Sequence, residues 1–198
     1  MKKKNQFLKS GVLLLGLASV SVVLMLTLVS CNNSKPKDTK EVAEDHNDAK
    51  FANSKEDDAM FLVNAEEINL EEIQLGKLAQ TRGTTSQVKE LGKMMETDHT
   101  KASDDLQALA AKKQVTIPTT LTEDGINASK KLTDTKTADF DKEYADMMVN
   151  GHKDAISKFE KASTDAADPE IRSWAASVLP ALRSHLDQFI ALQKQYEM

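Results

Sequence analysis

Three of the four histidines, His99, His152 and His185, fall near the middle of three separate amphipathic segments, each on or beside the apolar stripe of its segment. A fourth segment carries Glu71 and Glu72 at the matching place. Ionisable side chains are costly to bury unless they are paired, hydrogen-bonded or bound to a metal. One such interruption per helix, at similar depth, predicts a polar site inside a four-helix bundle. Imidazole suits zinc, copper, iron and nickel, and a carboxylate widens that choice. Asp98, next to His99, can orient a ligand imidazole from outside the coordination sphere. The candidate metal set is therefore Glu72, His99, His152 and His185 with Asp98, for a divalent or copper-type ion. The layer has a second reading: a hydrogen-bonded network that fixes helix register and binds nothing.

Other chemistries find less support. Met94, Met95, Met147 and Met148 lie within about two turns of His99 or His152. Thioethers favour Cu(I), but methionines at helical spacing read first as adaptable core filling. Ser184 precedes His185, yet adjacent helical residues point apart, and no glycine-rich elbow follows. There is one cysteine, so no spaced cysteine pair exists. The acidic pairs Glu66-Glu67 and Asp104-Asp105 read as solvated faces.

Four long segments must position the polar layer, and their pattern is all-α. The first runs from about Lys55 to Thr81, with a stripe of Phe61, Asn64/Ala65, Ile68, Glu71/Glu72, Leu75 and Leu78/Ala79. Arg82-Gly83-Thr84-Thr85-Ser86 supplies a glycine stop and a hydroxyl N-cap for the next helix, Ser86 to about Lys112. That helix carries Val88, Leu91, Met95, Asp98/His99, Ala102, Leu106 and Leu109. A longer connection, Gln114 to Thr137, holds room for one short helix near Glu123 to Leu132. The third long helix, about Ala138 to Thr164, places Phe140, Tyr144, Met147/Met148, His152, Ala155/Ile156 and Phe159 on one face. Asp168 and Pro169 suit the N-cap and first turn of the fourth, which carries Ile171, Val178, Leu182, His185, Phe189 and Leu192. Short turns within each pair and a long link between pairs predict an antiparallel four-helix bundle built from two helical hairpins. On a rise of about 1.5 Å per residue, the three histidines and Glu72 then share a layer within about two turns.

Several runs resemble one bacterial family. They are Asp98-His99 after Met94-Met95, Glu72 to Ala79, Phe140-Asp141 with Tyr144 and His152, and Leu179-Pro180 with His185. In order and spacing they look like domain-of-unknown-function family 4142, over about residues 55–195. The resemblance implies a ferritin-like bundle, often in exported proteins, with Glu72, Asp98, His99, His152 and His185 at its polar positions. It implies no particular activity. The di-iron carboxylate pattern of ferritin-like proteins is incomplete here. Glu96-Thr97-Asp98-His99 fits a Glu-x-x-His, but Leu182 stands where a second Glu would precede His185.

The N-terminus reads as a targeting segment. Lys2, Lys3, Lys4 and Lys9 precede an uncharged run from Gly11 to Val29, which ends in Leu28-Val29-Ser30-Cys31. This resembles a bacterial lipobox, whose cysteine is lipidated and becomes the new N-terminus. Residues 1–30 are thus expected as a lipoprotein signal peptide, 31–54 as a flexible tether with His46 a solvated histidine, and 55–198 as the bundle. The expected location is extracytoplasmic, held to a membrane by Cys31. Residues 1–30 hold four lysines and no acid, so the processed chain has 22 Lys+Arg against 31 Asp+Glu. That acidic balance argues against a nucleic-acid partner. A structural or interaction module of the cell envelope is the alternative function. Labelling cells with a palmitate analogue should mark the wild type and leave Cys31→Ala unlabelled; equal label in both would contradict the lipobox.

Overall fold

The computed structural model describes residues 37–196. The N-terminal apolar run and Cys31 lie outside the described residues. Among those residues no helix is long and apolar enough to cross a membrane.

The helices are α1 (Thr39–Asp48), α2 (Ser54–Arg82), α3 (Ser86–Lys113), α4 (Glu123–Asp134), α5 (Phe140–Asp165) and α6 (Pro169–Gln193), followed by a short 3-10 turn at Lys194–Tyr196. α2 packs on α3 and α5 packs on α6, the two hairpins expected, and α2 also meets α5. The cap chemistry fits. Thr85 accepts a hydrogen bond from the Val88 amide, and Asp168 accepts from Glu170 and Ile171, with Pro169 in the first turn.

Each hairpin turn is clamped by an aspartate from the other hairpin. Asp58 of α2, buried, accepts the amides of Ala167 and Asp168 at 2.8 Å each. Asp141 of α5, also buried, accepts the Thr84 amide at 2.9 Å and its hydroxyl at 2.6 Å. These reciprocal clamps set the hairpins antiparallel and fix their relative register. Within the first hairpin, Gly76 and Gly92 face one another. A Cβ on either would lie 2.7 Å from the other's carbonyl oxygen, so glycine permits this close approach of α2 and α3.

Residues 39–48, expected within a flexible tether, form α1 against α2. Little of α1 is apolar, and polar contacts hold it. Buried Asn47 donates to the Thr116 carbonyl at 2.7 Å and accepts the Thr116 amide at 2.8 Å, and Lys40 pairs with Glu67 at 2.6 Å. His46 on α1 is exposed, as expected.

The buried apolar side chains form two clusters. One gathers Leu75, Met95, Phe140, Tyr144, Met148 and Phe189; the other gathers Leu62, Leu106, Phe159, Ile171, Ala175 and Leu182. The predicted polar layer lies between them along all four long helices. Met95 and Met148 are members of the first cluster and Met94 and Met147 pack against it, which supports their reading as core. Leu75→Ala should cost about 2–5 kcal/mol in a urea titration, whereas exposed Lys89→Ala should change stability by less than about 0.5 kcal/mol.

Candidate metal centre

α3, α5 and α6 each turn one histidine into the bundle. His99, His152 and His185 are 3%, 1% and 3% exposed. Their ring centroids are 5.4–5.8 Å apart. One ring nitrogen from each lies within 4.8 Å of the others.

The outer nitrogens define the tautomers. His152 Nδ1 is 2.9 Å from the Met148 carbonyl oxygen, which can only accept, so Nδ1 carries the proton. His185 Nε2 is 2.9 Å from the Asp98 carboxylate and donates to it. His99 Nδ1 is 3.0 Å from Asn69 Oδ1 and donates there. Each neutral ring is left with one lone pair, on His152 Nε2, His185 Nδ1 and His99 Nε2. The first two stand 3.4 Å apart. His99 Nε2 is buried without a hydrogen-bond partner.

Charge on His99 and His152 is disfavoured. Burial pushes His99 well below the ordinary histidine range, and the neighbouring His152 and His185 add to the effect. Burial, then His185, lowers His152 to about 4, against a smaller opposing pull from the Met148 carbonyl. The unprotonated His152 Nε2 and His185 Nδ1, 3.4 Å apart, repel one another. A cation between them would offset that repulsion. Zinc–nitrogen bonds of about 2.0–2.1 Å place tetrahedral ligands about 3.3 Å apart, close to the His152–His185 spacing.

The sequence-predicted set divides in two. The histidines converge. Asp98 stands outside them and orients His185, as expected of it, with its side chain 47% exposed where the site meets solvent. Glu72 is buried but lies on the outer side of His152, its Oε1 3.6 Å from Nδ1, and so not among the converging nitrogens. Burial, then Glu71, raises its carboxyl well above the ordinary range. A Cβ at Gly151 would sit 3.2 Å from Glu72 Oε1, so this glycine leaves the carboxyl its room. The Tyr144 hydroxyl, buried and unpartnered, is raised by burial and by Glu72. Glu71 lies on the α4 side, raised to about 7 by burial, then by Glu67 and Asp124.

Two residues around the centre escaped sequence reasoning. Asn69 fixes His99. Glu66, read as part of a solvated face, is instead fully buried, and accepts from the Ser103 hydroxyl at 2.6 Å and from Gln107 at 3.3 Å. The buried face of α2 runs through Leu62, Ala65, Glu66, Asn69, Glu72, Leu75 and Ala79, about one residue round from the predicted stripe. Phe61 and Ile68 are only partly buried. No hydrophobicity pattern flags a buried face that is polar at its centre.

Fold and site together define a helical bundle with a histidine-lined core. The chain belongs to the family described as domain of unknown function (DUF4142), matched over residues 42–192. Among solved structures it is similar to a crystal structure of a DUF305 fragment from Deinococcus radiodurans. The TM-score is 0.61 at 10% identity, over 70% of this chain and 95% of that one, which shows a shared fold. No curated protein matches the chain.

The buried groups make stability depend on pH with opposite signs. Because folding lowers His152 to about 4 from 6.5, the unfolded chain takes up its proton first. That stability is complete above 6.5 and is lost as pH falls to about 4. For Glu72 folding raises the value above 4.5, so the folded chain keeps the proton longer and loses stability as pH rises through that region. Urea midpoints across pH should show His152→Gln flattening the acid limb by up to about 3 kcal/mol. Glu72→Gln should flatten the loss above 4.5.

Proposed function

We propose that this chain is a lipid-anchored, extracytoplasmic four-helix bundle that holds one divalent or copper-type metal ion through His99, His152 and His185. Three buried imidazoles bring one nitrogen each within 4.8 Å of the others, and every outer N–H is taken by a separate acceptor: Asn69, the Met148 carbonyl and Asp98. Metal-binding histidines have this arrangement, because the outer hydrogen bond fixes the tautomer and raises ligand basicity. Three neutral donors leave a fourth position for water or a small ligand. Asp98, and Glu72 once ionised, are the negative groups available to balance the cation. The lipobox at Cys31 supports the anchor and the extracytoplasmic location.

The rival reading is an envelope module whose polar layer serves only the fold. It draws support from the hydrogen bond between Asp98 of α3 and His185 of α6, which ties the two hairpins together. Against it stands His99 Nε2. A network selected for stability alone leaves few buried polar atoms without a partner.

Metal added to the stripped, untagged protein should raise its melting temperature, since a ligand of the folded state stabilises it by mass action. Bound metal should also appear by mass spectrometry. The gain should fade in acid, where protonated imidazoles cannot coordinate. His46→Ala should keep the effect and His152→Ala should abolish it. If zinc, copper, iron and manganese all leave the melting temperature unchanged while His152→Ala still destabilises, the layer is structural.

A further inference from the structure

The tautomer of His99 depends on which way the Asn69 amide faces. With Oδ1 toward the ring, His99 holds its proton on Nδ1 and keeps Nε2 free. With the amide reversed, an N–H group would face Nδ1, which must then accept, and the proton would move to Nε2. His99 does not decide between these, because a neutral ring suits either. Something on the far side of Asn69 must.

That far side is Glu66. Its Oε1 accepts from Ser103 and Gln107. Its Oε2 is buried and has no partner, and Asn69 Nδ2, three residues on along α2, is likewise a buried donor without one. The two are complementary, an acceptor and a donor on one helical face. Burial raises the Glu66 carboxyl, and hydrogen bonding from Ser103, Gln107 and Asn69 opposes that rise. Ser103 and Gln107 donate to Oε1, which leaves Oε2 as the acceptor available to Asn69.

We propose that Glu66 is a positioning residue for the histidine centre: by holding the Asn69 amide nitrogen toward itself, it forces Oδ1 onto His99 Nδ1 and frees Nε2 for a metal. Its effect on affinity rests on the reading of the trio as a metal site. The tautomer itself does not, and is measured without metal.

The isosteric change Glu66→Gln sharpens the test. Ser103 and Gln107 still need an acceptor, so the new side chain keeps its oxygen toward them and turns its NH2 toward Asn69. The Asn69 amide then reverses and the His99 proton moves to Nε2. In the double variant Glu66→Gln/Asn69→Asp the acid and the amide exchange places. The carboxylate at 69 accepts from both sides, and His99 returns to the Nδ1–H form. Ring-nitrogen NMR of the metal-free full chain at neutral pH reads the tautomer directly. The expected series is Nδ1–H in the wild type, Nε2–H in Glu66→Gln and Nδ1–H in the double variant. Metal affinity should follow, falling about 10–100-fold in the single variant and recovering in the double. Nδ1–H in Glu66→Gln would overturn the proposal. If that variant does not fold, Glu66→Ala, which removes the acceptor and keeps Asn69, decides instead: His99 should then populate both tautomers, and a purely Nδ1–H ring would overturn the proposal. If the tautomers follow the expected series while no variant takes up metal, the positioning role stands and the metal reading falls.

Discussion

Three neutral imidazoles with lone pairs turned toward one another repel unless something positive stands between them. The rest of this molecule is arranged around holding that unfavourable geometry in place. No ring can relieve it by flipping, because each outer N–H would lose its acceptor. Burial and the neighbouring rings also hold His99 and His152 neutral. The proposed metal would offset that repulsion, and the fixed outer hydrogen bonds would hold the rings ready for it.

The scaffold meets this constraint by fixing depth. A slip of one turn in any long helix would move its group by about 5.4 Å and disperse the layer. Asp58 and Asp141 prevent that slip from opposite ends, each tying one hairpin to the turn of the other. Apolar clusters above and below exclude water from the layer and lower its dielectric. The same exclusion makes Glu72 hard to ionise without a nearby cation.

Much of this was legible in the sequence. The four long helices and their hairpin pairing follow from the three-four spacing, the Gly83 and Pro169 punctuation and the short turns; their ends fall within one or two residues of those expected, except that the fourth, expected to reach the C-terminus, stops at Gln193. Depth counting put His99, His152 and His185 in one layer within about two turns, loose enough for two separate sites; the structure brings them together. What stayed hidden depends on side-chain environment. α2 is covered by α1, α3, α4 and α5, so more of its circumference is buried than one stripe suggests. Glu66 beside Glu67 looks like any solvated pair until Ser103 and Gln107 are seen to face it. Glu72 has the right depth for a ligand but reaches the outer nitrogen of His152, a difference of approach direction that helical periodicity does not encode. The docking of α1 rests on the Asn47–Thr116 pair, a long-range polar match with no hydrophobic signature.

X-ray absorption on protein loaded with one equivalent of zinc or copper reads the ligands of the bound ion. The expected spectrum has a first shell containing three nitrogens at about 2.0–2.1 Å, with the outer scattering of three imidazole rings, lost one ring at a time in the single histidine variants. A first shell of oxygens alone, or one unchanged by removing His99, His152 or His185, would contradict it.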